Sequence, residues 1–351
     1  MIDKKIRNAK KTLIDKINNL DVKSLDISDY NKRYLGIKKN RINAEIDKFG
    51  DLLLKLLKDE GTALSDYLLV DYGGGCGLMT YLALEIGIEK IIYVDIFKVS
   101  CDDVKVLSET LGYSLEHIIC GEERELIEYL SANKNLSVDG IISYDVLEHI
   151  YDLEKHFKNL SEGISGSFKI LYGSGANPKN PRNLYTLRKK QIEAETKDRD
   201  VKWGNKETIS NESYISVRKK IILEHTDVLA DEEVDQLALA TRGLIQKDIL
   251  KQIDLYLDTK ELSYEIQHPT NTCDPISGSW CEHLIDFKWF LQVMKDNRYA
   301  IEILPGRYYD NNSGLLYCVI KKLLNFKIKL LGIVGLYIAP FYIVQGVRNS
   351  E

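Results

Sequence analysis

A doubly wound α/β domain with a mostly parallel sheet is the fold class that the 351-residue sequence predicts, and three observations predict it. Between about residues 66 and 175, short apolar runs alternate with helical segments, as in a parallel sheet covered by helices on both faces. The first run ends in a carboxylate and a glycine cluster, where a buried strand can turn sharply into a helix. The second ends in an aspartate, at the strand edge where such sheets place their ligands. Length adds that the chain exceeds one minimal domain, so two units, or one domain with a large insertion, are expected.

Residues 1–65 read as an N-terminal helical segment. Its clearest part is 40–59, where Ile42, Ile46, Phe49, Leu53, Leu56 and Leu57 recur at the spacing of a helix with one buried face. The core, 66–175, holds strands at 67–71, 90–95, 117–120, 138–143 and 167–172, with helices that include 78–86, 122–130 and 147–160. In 176–285 the alternation stops. The stretch 180–267 is long, charged and helix-rich without a convincing strand, which predicts a helical insertion serving as a substrate lid. From 286 to 351 the pattern returns to the core sheet, with a helix at 287–297, a strand at 299–304 and the turn Pro305-Gly306. The tail 330–347 has no charged side chain, with Lys321, Lys322, Lys327 and Lys329 before it and Arg348 after it. Because Gly332, Gly335, Pro340 and Gly346 interrupt it, a buried apolar helix to about Leu336 and a last strand at 338–347 are favoured over an interfacial anchor or a spanning helix.

Hydrophobic residues make up 44% and charged residues 29%, as in a soluble globular protein. Lys and Arg number 48 against 53 Asp and Glu, a net charge of −5, so no global positive field exists to collect phosphate backbones, and nucleic acid is excluded as the main partner. Residues 1–20 carry lysines throughout and no apolar segment, so they do not read as a secretory signal, and the cytoplasm is the expected location. Cys76, Cys101, Cys120, Cys273, Cys281 and Cys318 form no CxxC pair and are expected to be reduced thiols. With no HxxxH or HExxH run, no metal site is expected.

The strongest chemical signal is Val70-Asp71-Tyr72-Gly73-Gly74-Gly75-Cys76-Gly77, between a strand and a helix. Glycines there let the backbone approach a ligand closely. A dinucleotide loop of the form GxGxxG needs a third glycine where Leu78 stands. What is present is Asp71 two residues before a GxGxG run of Gly73, Gly75 and Gly77, which resembles the class I S-adenosylmethionine-dependent methyltransferases. The resemblance implies a Rossmann-like fold, S-adenosylmethionine as cofactor, and a loop around the cofactor's amino-acid end, whose ammonium suits Asp71. Asp95, followed by Ile96, ends the second strand, where an acid can accept bonds from ribose hydroxyls; a helix-capping aspartate is the plain alternative. Gly121-Glu122 matches the position where the family often holds an acid near the adenine amino group, which makes Glu122 a further candidate.

The stretch Ser143-Tyr144-Asp145-Val146-Leu147-Glu148-His149-Ile150 is similar to the D-V-L-E-H-I run of small-molecule methyltransferases related to those of quinone biosynthesis. Tyr144 and Asp145, at the carboxyl edge, are expected beside the cofactor, with Glu148 and His149 one turn into the next helix. Methyl transfer requires alignment and exclusion of water more than an elaborate catalytic set. For a hydroxyl acceptor a base helps, and His149, His268 and His283 are the candidates, with His149 reading equally as a satisfied structural histidine. His268, Asp274, Trp280, Glu282 and His283 read either as a border of the acceptor site or as a loop packed by Trp280.

Thr241-Arg242-Gly243-Leu244 and the 271–283 stretch resemble methyltransferases of bacterial surface-glycan and secondary-metabolite gene clusters, which implies a small-molecule, sugar- or glycan-type acceptor. The lysine-flanked tail is compatible with peripheral membrane contact and an acceptor such as a lipid-linked sugar. Two rivals stand beside this reading. One is a nucleotide-dependent oxidoreductase on the same sheet, disfavoured by the glycine spacing; the other is a cofactor-binding module without transfer.

Overall fold

The structure is a computed structural model that describes residues 2–58, 61–198, 211–310 and 314–350. The chain divides into two compact units. The first comprises Met1–Leu147, Leu153–Gly175 and Phe287–Glu351, and the second Glu148–Asp152 and Ala176–Asp286.

The first unit begins with three helices, α1 (Ile2–Asn19), α2 (Asp29–Lys39) and α3 (Ile42–Leu56). Helix α1 buries Ile6, Ala9, Leu13 and Ile17, and α3 buries the apolar stripe expected of it. The last predicted position of that helix, Asp59, lies outside the described residues. Then follow β1 (Leu68–Tyr72), α4 (Leu78–Ile86), β2 (Lys90–Asp95), α5 (Lys98–Leu111), β3 (His117–Cys120), α6 (Glu123–Ala132) and β4 (Gly140–Tyr144). After a short 3₁₀ turn come α7 (Leu153–Gly163) and β5 (Phe168–Ser174).

The predicted helix at 147–160 is thus two pieces. Leu147–His149 is a 3₁₀ turn, and the α-helix starts only at Leu153. The carbonyls of Glu148 and His149 accept from His283 N (3.0 Å) and Trp280 N (3.4 Å) instead of from the next helical turn, so the helix cannot run through them. Glu148 and His149 therefore sit in this turn and not inside a helix.

The sheet has seven strands in the order β3-β2-β1-β4-β5, then the final strand of the chain, then the one before it. All pairs among β1–β5 are parallel, with Val70 beside Ile92 on one side and Ile141 on the other. Every residue of β1 is buried, as a strand covered on both faces must be. Chain order reverses between β1 and β4, and this switch point opens the crevice beyond their carboxyl ends.

The second unit contains α8 (Pro181–Thr196), α9 (Tyr214–His225), α10 (Asp231–Ala240) and α11 (Gln246–Thr259); residues 199–210 of the predicted insertion lie outside the described residues. Asn180 caps α8 by accepting from Arg182 N (3.0 Å), with Pro181 in the first turn. Val217, Ile221, Ile222, Leu237, Ile249 and Ile253 form its core. Arg218, fully buried, is ion-paired with Glu195 and donates to Ala238 O at 2.7 Å.

The chain returns to the first unit with α12 (Phe287–Asp296), β6 (Tyr299–Pro305), α13 (Leu315–Leu331), a 3₁₀ turn (Gly332–Tyr337) and β7 (Tyr342–Arg348). Strand β7 runs antiparallel between β5 and β6, with Val344 opposite Tyr172 and Ile303. The charge-free end of the tail is therefore an interior strand, with Tyr342, Ile343 and Val344 buried. Among the described residues no helix is long and apolar enough to cross a membrane. The spanning alternative for the tail is thereby removed.

Candidate functional site

The site is assembled at the switch point. The loop after β1 turns through three glycines with positive φ, Gly73 (75°), Gly75 (55°) and Gly77 (78°), a region that side chains rarely adopt. A Cβ on Gly73 would lie 2.3 Å from Val146, and one on Gly77 2.7 Å from Tyr81, so packing as well as torsion demands glycine. Gly74 is equally constrained by the Tyr93 ring, 2.4 Å from where its Cβ would be.

The loop's N–H groups point inward. Gly73 N and Gly74 N donate to Val94 O (2.8 and 3.1 Å), Gly75 N to Asp95 Oδ2 (2.9 Å) and Gly77 N to Gly74 O (2.9 Å), while Tyr93 Oη donates to Gly75 O (2.5 Å). A phosphate-binding loop needs such donors free to face the anion. Here three of them hold the loop to β2 and the fourth closes the loop on itself, and beside the loop, near the end of β1, stands a carboxylate. Asp71, fully enclosed, accepts from Thr80 Oγ1 at 2.5 Å; burial pushes its carboxyl up to about 6 although the Thr80 bond pulls it down. A cation placed beside it would restore the ionised form.

Asp95 closes β2. Its Oδ1 accepts from Phe97 N (2.8 Å) and its Oδ2 from Gly75 N, which ties β2 to the glycine loop. Phe97 is the N-cap residue of α5 and has no side-chain cap of its own, so Asp95 meets the start of that helix through the Phe97 N–H. Ile96 beside it is exposed. Gly121 N donates to Asp95 O (2.9 Å), which puts Glu122 next to the end of β2. Glu122 starts α6, its N–H donating to Glu125 Oε2 (2.9 Å), and burial together with Glu123 raises its carboxyl.

On the β4 side, Tyr144 faces a recess that it shares with Asp71, Gly73, Gly75, Tyr34 and Lys38. Asp145, with φ of 57°, donates its N–H to Gly173 O (2.9 Å) and accepts from Gly175 N on Oδ1 (3.1 Å). Left-handed backbone at a non-glycine residue is uncommon outside functional sites and tight turns.

Sequence reasoning missed the wall built by α2 and α3. Tyr34 stacks near Tyr30 (centroids 6.2 Å apart), which meets Phe97 edge-on. Glu45 accepts from Lys38 and Lys48 (both 3.0 Å) and pairs with Arg41, and Lys48 Nζ lies 3.6 Å from the Tyr144 ring centroid. Burial raises the Glu45 carboxyl, but the three cations outweigh it and bring it to about 2; burial lowers Lys48 against the pull of Glu45. Lys48 lies three residues after Glu45 within the α3 stripe, a spacing at which two charged side chains meet. Nothing in α2 carries a comparable signal.

The three candidate bases all lie in the second unit. His149 Nδ1 is 2.9 Å from Trp280 O, a partner that only accepts, so Nδ1 carries the proton and Nε2 holds the basic lone pair. His268 Nδ1 accepts from Thr270 N and Asn271 N (both 3.2 Å), so its basic nitrogen is engaged, and burial, then Arg188 and Arg242, lower its pKa. His283 is stacked on Trp280 at 4.4 Å, and burial, then His268, brings it to about 3. Trp280 also runs nearly parallel to Tyr151 (6.1 Å) and donates Nε1–H to Tyr151 O (3.0 Å). Of the two readings of the 268–283 stretch, these contacts favour the loop packed by Trp280. Asp274 Oδ1 accepts from Ile276 N and Ser277 N within that loop, and Glu282 pairs with Lys190.

The fold is a Rossmann-like α/β sheet whose candidate site occupies the switch point. Solved structures similar to it include a SAM-dependent methyltransferase from Archaeoglobus fulgidus, at 15% identity over 90% of this chain and 99% of that one, TM-score 0.38. A second is an S-adenosylmethionine-dependent methyltransferase from Clostridium acetobutylicum, at 11% identity over 91% and 98%, TM-score 0.43. A third is the plantazolicin methyltransferase BpumL in complex with SAH, at 13% identity over 99% of both chains, TM-score 0.38. No family model and no curated protein matches the chain.

Proposed function

We propose that the protein transfers the methyl group of S-adenosylmethionine to a small-molecule acceptor. One observation carries the reading: the N–H groups of Gly73, Gly74, Gly75 and Gly77 are engaged inside the fold, while the buried Asp71 stands near the end of β1, two residues before the first of these glycines. That arrangement suits a cationic ligand end and not a pyrophosphate, which favours the methyltransferase reading over a dinucleotide oxidoreductase. Asp71 would hold the ammonium end, Asp95 the ribose hydroxyls and Glu122 the adenine side, with Tyr144 and Asp145 flanking from β4. When bound, the cofactor supplies a methyl group on a sulfonium whose leaving group is neutral. The residues of the chain therefore have to bind, orient and exclude water, and Tyr34 and Tyr144 provide aromatic walls for that task.

For the acceptor we infer a hydroxyl of a sugar- or glycan-type small molecule, with His149 as the base. Its Nδ1 is held by Trp280 O, which leaves Nε2 as the acceptor nitrogen, whereas His268 Nδ1 already accepts from Thr270 N and burial brings His283 to about 3. Incubation of the protein with methyl-labelled cofactor and a panel of hydroxyl, amine and carbon acceptors tests this. Label transfer to hydroxyl compounds, lowered on the order of a hundredfold or more in kcat by His149→Gln, is expected. Cofactor binding without transfer to any member would favour the non-catalytic module.

A further inference from the structure

Helix α13 is built unlike any helix that packs into this unit. All seventeen of its residues are described, and Ile328 is the one that is buried. Leu315, Val319, Leu323, Phe326 and Leu330 follow the four-, four-, three- and four-residue steps of one helical stripe, with Leu316 and Ile320 alongside. Leu315 is 84% exposed, Leu330 75% and Phe326 64%, and the 3₁₀ turn prolongs the stripe with exposed Ile333, Val334 and Tyr337. The opposite side is fixed to the fold. Asn325 accepts from Tyr308 N (2.7 Å) and donates to Tyr308 O (2.8 Å), and Gly335 packs against Ile328, where a Cβ would lie 2.8 Å from the Ile328 carbonyl. The apolar face is thus held outward by the contacts of the other face.

The charges decide what covers it. Between Asp310 and Glu351 the sequence has no acidic residue, while α13 carries Lys321, Lys322, Lys327 and Lys329. At 100° per residue, Lys322 and Lys329 border the apolar stripe on one side and Lys327 on the other. A second copy seated on this face would bring the same lysines against each other, and like charges there oppose association. An anionic lipid surface satisfies both features, taking the apolar stripe among its acyl chains and the lysines at its headgroups. Seventeen residues rise only about 25 Å, short of the ~30 Å hydrocarbon core, so the helix fits in the surface plane and not across it.

We propose that α13 and the turn after it form an in-plane docking surface for an anionic lipid bilayer. The surface lies at 315–337, not in the 338–347 stretch, of which 342–347 is sheet. The docking is independent of methyl transfer.

Flotation of the full-length protein with vesicles tests the proposal, using phosphatidylcholine alone and equal parts phosphatidylcholine and phosphatidylglycerol. Binding to the mixed vesicles, weakened by salt and absent on phosphatidylcholine alone, is expected. Each lysine at an anionic surface is worth roughly fivefold in partitioning, so the triple variant Lys322→Glu, Lys327→Glu, Lys329→Glu should lower binding by on the order of a hundredfold or more. Phe326→Asp should lower it through the apolar term. All four positions are exposed, and an unchanged unfolding midpoint will verify that each variant folds. Failure of the mixed vesicles to carry the protein, or binding unaffected by either variant, would overturn the proposal. So would a dimer in solution that Phe326→Asp dissolves.

Discussion

Asp71 illustrates how a single side chain ties the site to pH. Its folded carboxyl stands near 6 against an ordinary 3.8, so the protonated acid is favoured in the folded chain. Its contribution to stability is full below 3.8 and is lost as pH rises through 6. A cationic ligand needs the ionised form, so affinity for S-adenosylmethionine should fall as pH drops below about 6, and Asp71→Asn should weaken binding and flatten that dependence. Titration calorimetry across that range checks both. Glu45 has the opposite sign. Lowered from 4.5 to about 2, it stabilises the fold above 4.5 and loses that contribution as pH falls toward 2. Glu45→Gln should remove this acid-dependent component and destabilise the protein near neutrality by about 3 kcal/mol, because Lys38 and Lys48 are left buried without their carboxylate. Chemical denaturation at several pH values separates the two effects. The placement of the glycines, Asp71, Asp95, Tyr144 and Asp145 was legible in the sequence because each stands at or just beyond the end of a recognisable strand. Tyr34, Lys38 and Lys48 were not, since residues that reach a site from distant helices leave no local pattern.

At the scale of elements, α2 depends on a single carboxylate from α5. Asp103 accepts from Ser28 N (3.1 Å), from Ser28 Oγ and from Asn31 Nδ2 (2.8 Å), and Ser28 in turn caps the helix through Asn31 N (3.2 Å). Asp103→Ala should therefore cost about 1–3 kcal/mol and speed amide exchange in α2 before the sheet is affected. Because Tyr34 and Lys38 ride on that helix, cofactor affinity should fall with it. In the second unit, Glu195→Ala would strand the buried Arg218, at a cost of about 3–5 kcal/mol, measurable as a lowered unfolding midpoint. Elements with a strong period, such as the stripe of α3 and the strands β1 and β2, could be read from the sequence to within a few residues. The 3₁₀ turn at Leu147–His149 could not, because its cause lies more than a hundred residues away in the backbone donors of Trp280 and His283.

At the scale of the whole molecule, the parallel order of β1–β5 follows from the alternation of strands and helices, since each helix returns the chain to the same edge. The antiparallel pair that completes the sheet follows a different rule. Strand β7 is inserted between β5 and β6, and the uncharged run 342–347 within it, which from sequence alone resembles part of a membrane segment, is that of an interior strand closed by the buried Arg348. The apolar surface belongs instead to α13, where charges interleave with the stripe and conceal it from a simple count of uncharged residues. The central claim of the proposed function is that the internally bonded glycine loop beside a buried acid suits a cation-bearing nucleoside ligand better than a dinucleotide. Isothermal titration of the protein with S-adenosylmethionine, its demethylated product and NAD, repeated on Asp95→Ala and Gly75→Val, tests it most directly. Binding of the first two ligands, weakened at least tenfold, about 1.4 kcal/mol, by both substitutions, is the predicted result. Binding of NAD alone, or of none of the three, would contradict it.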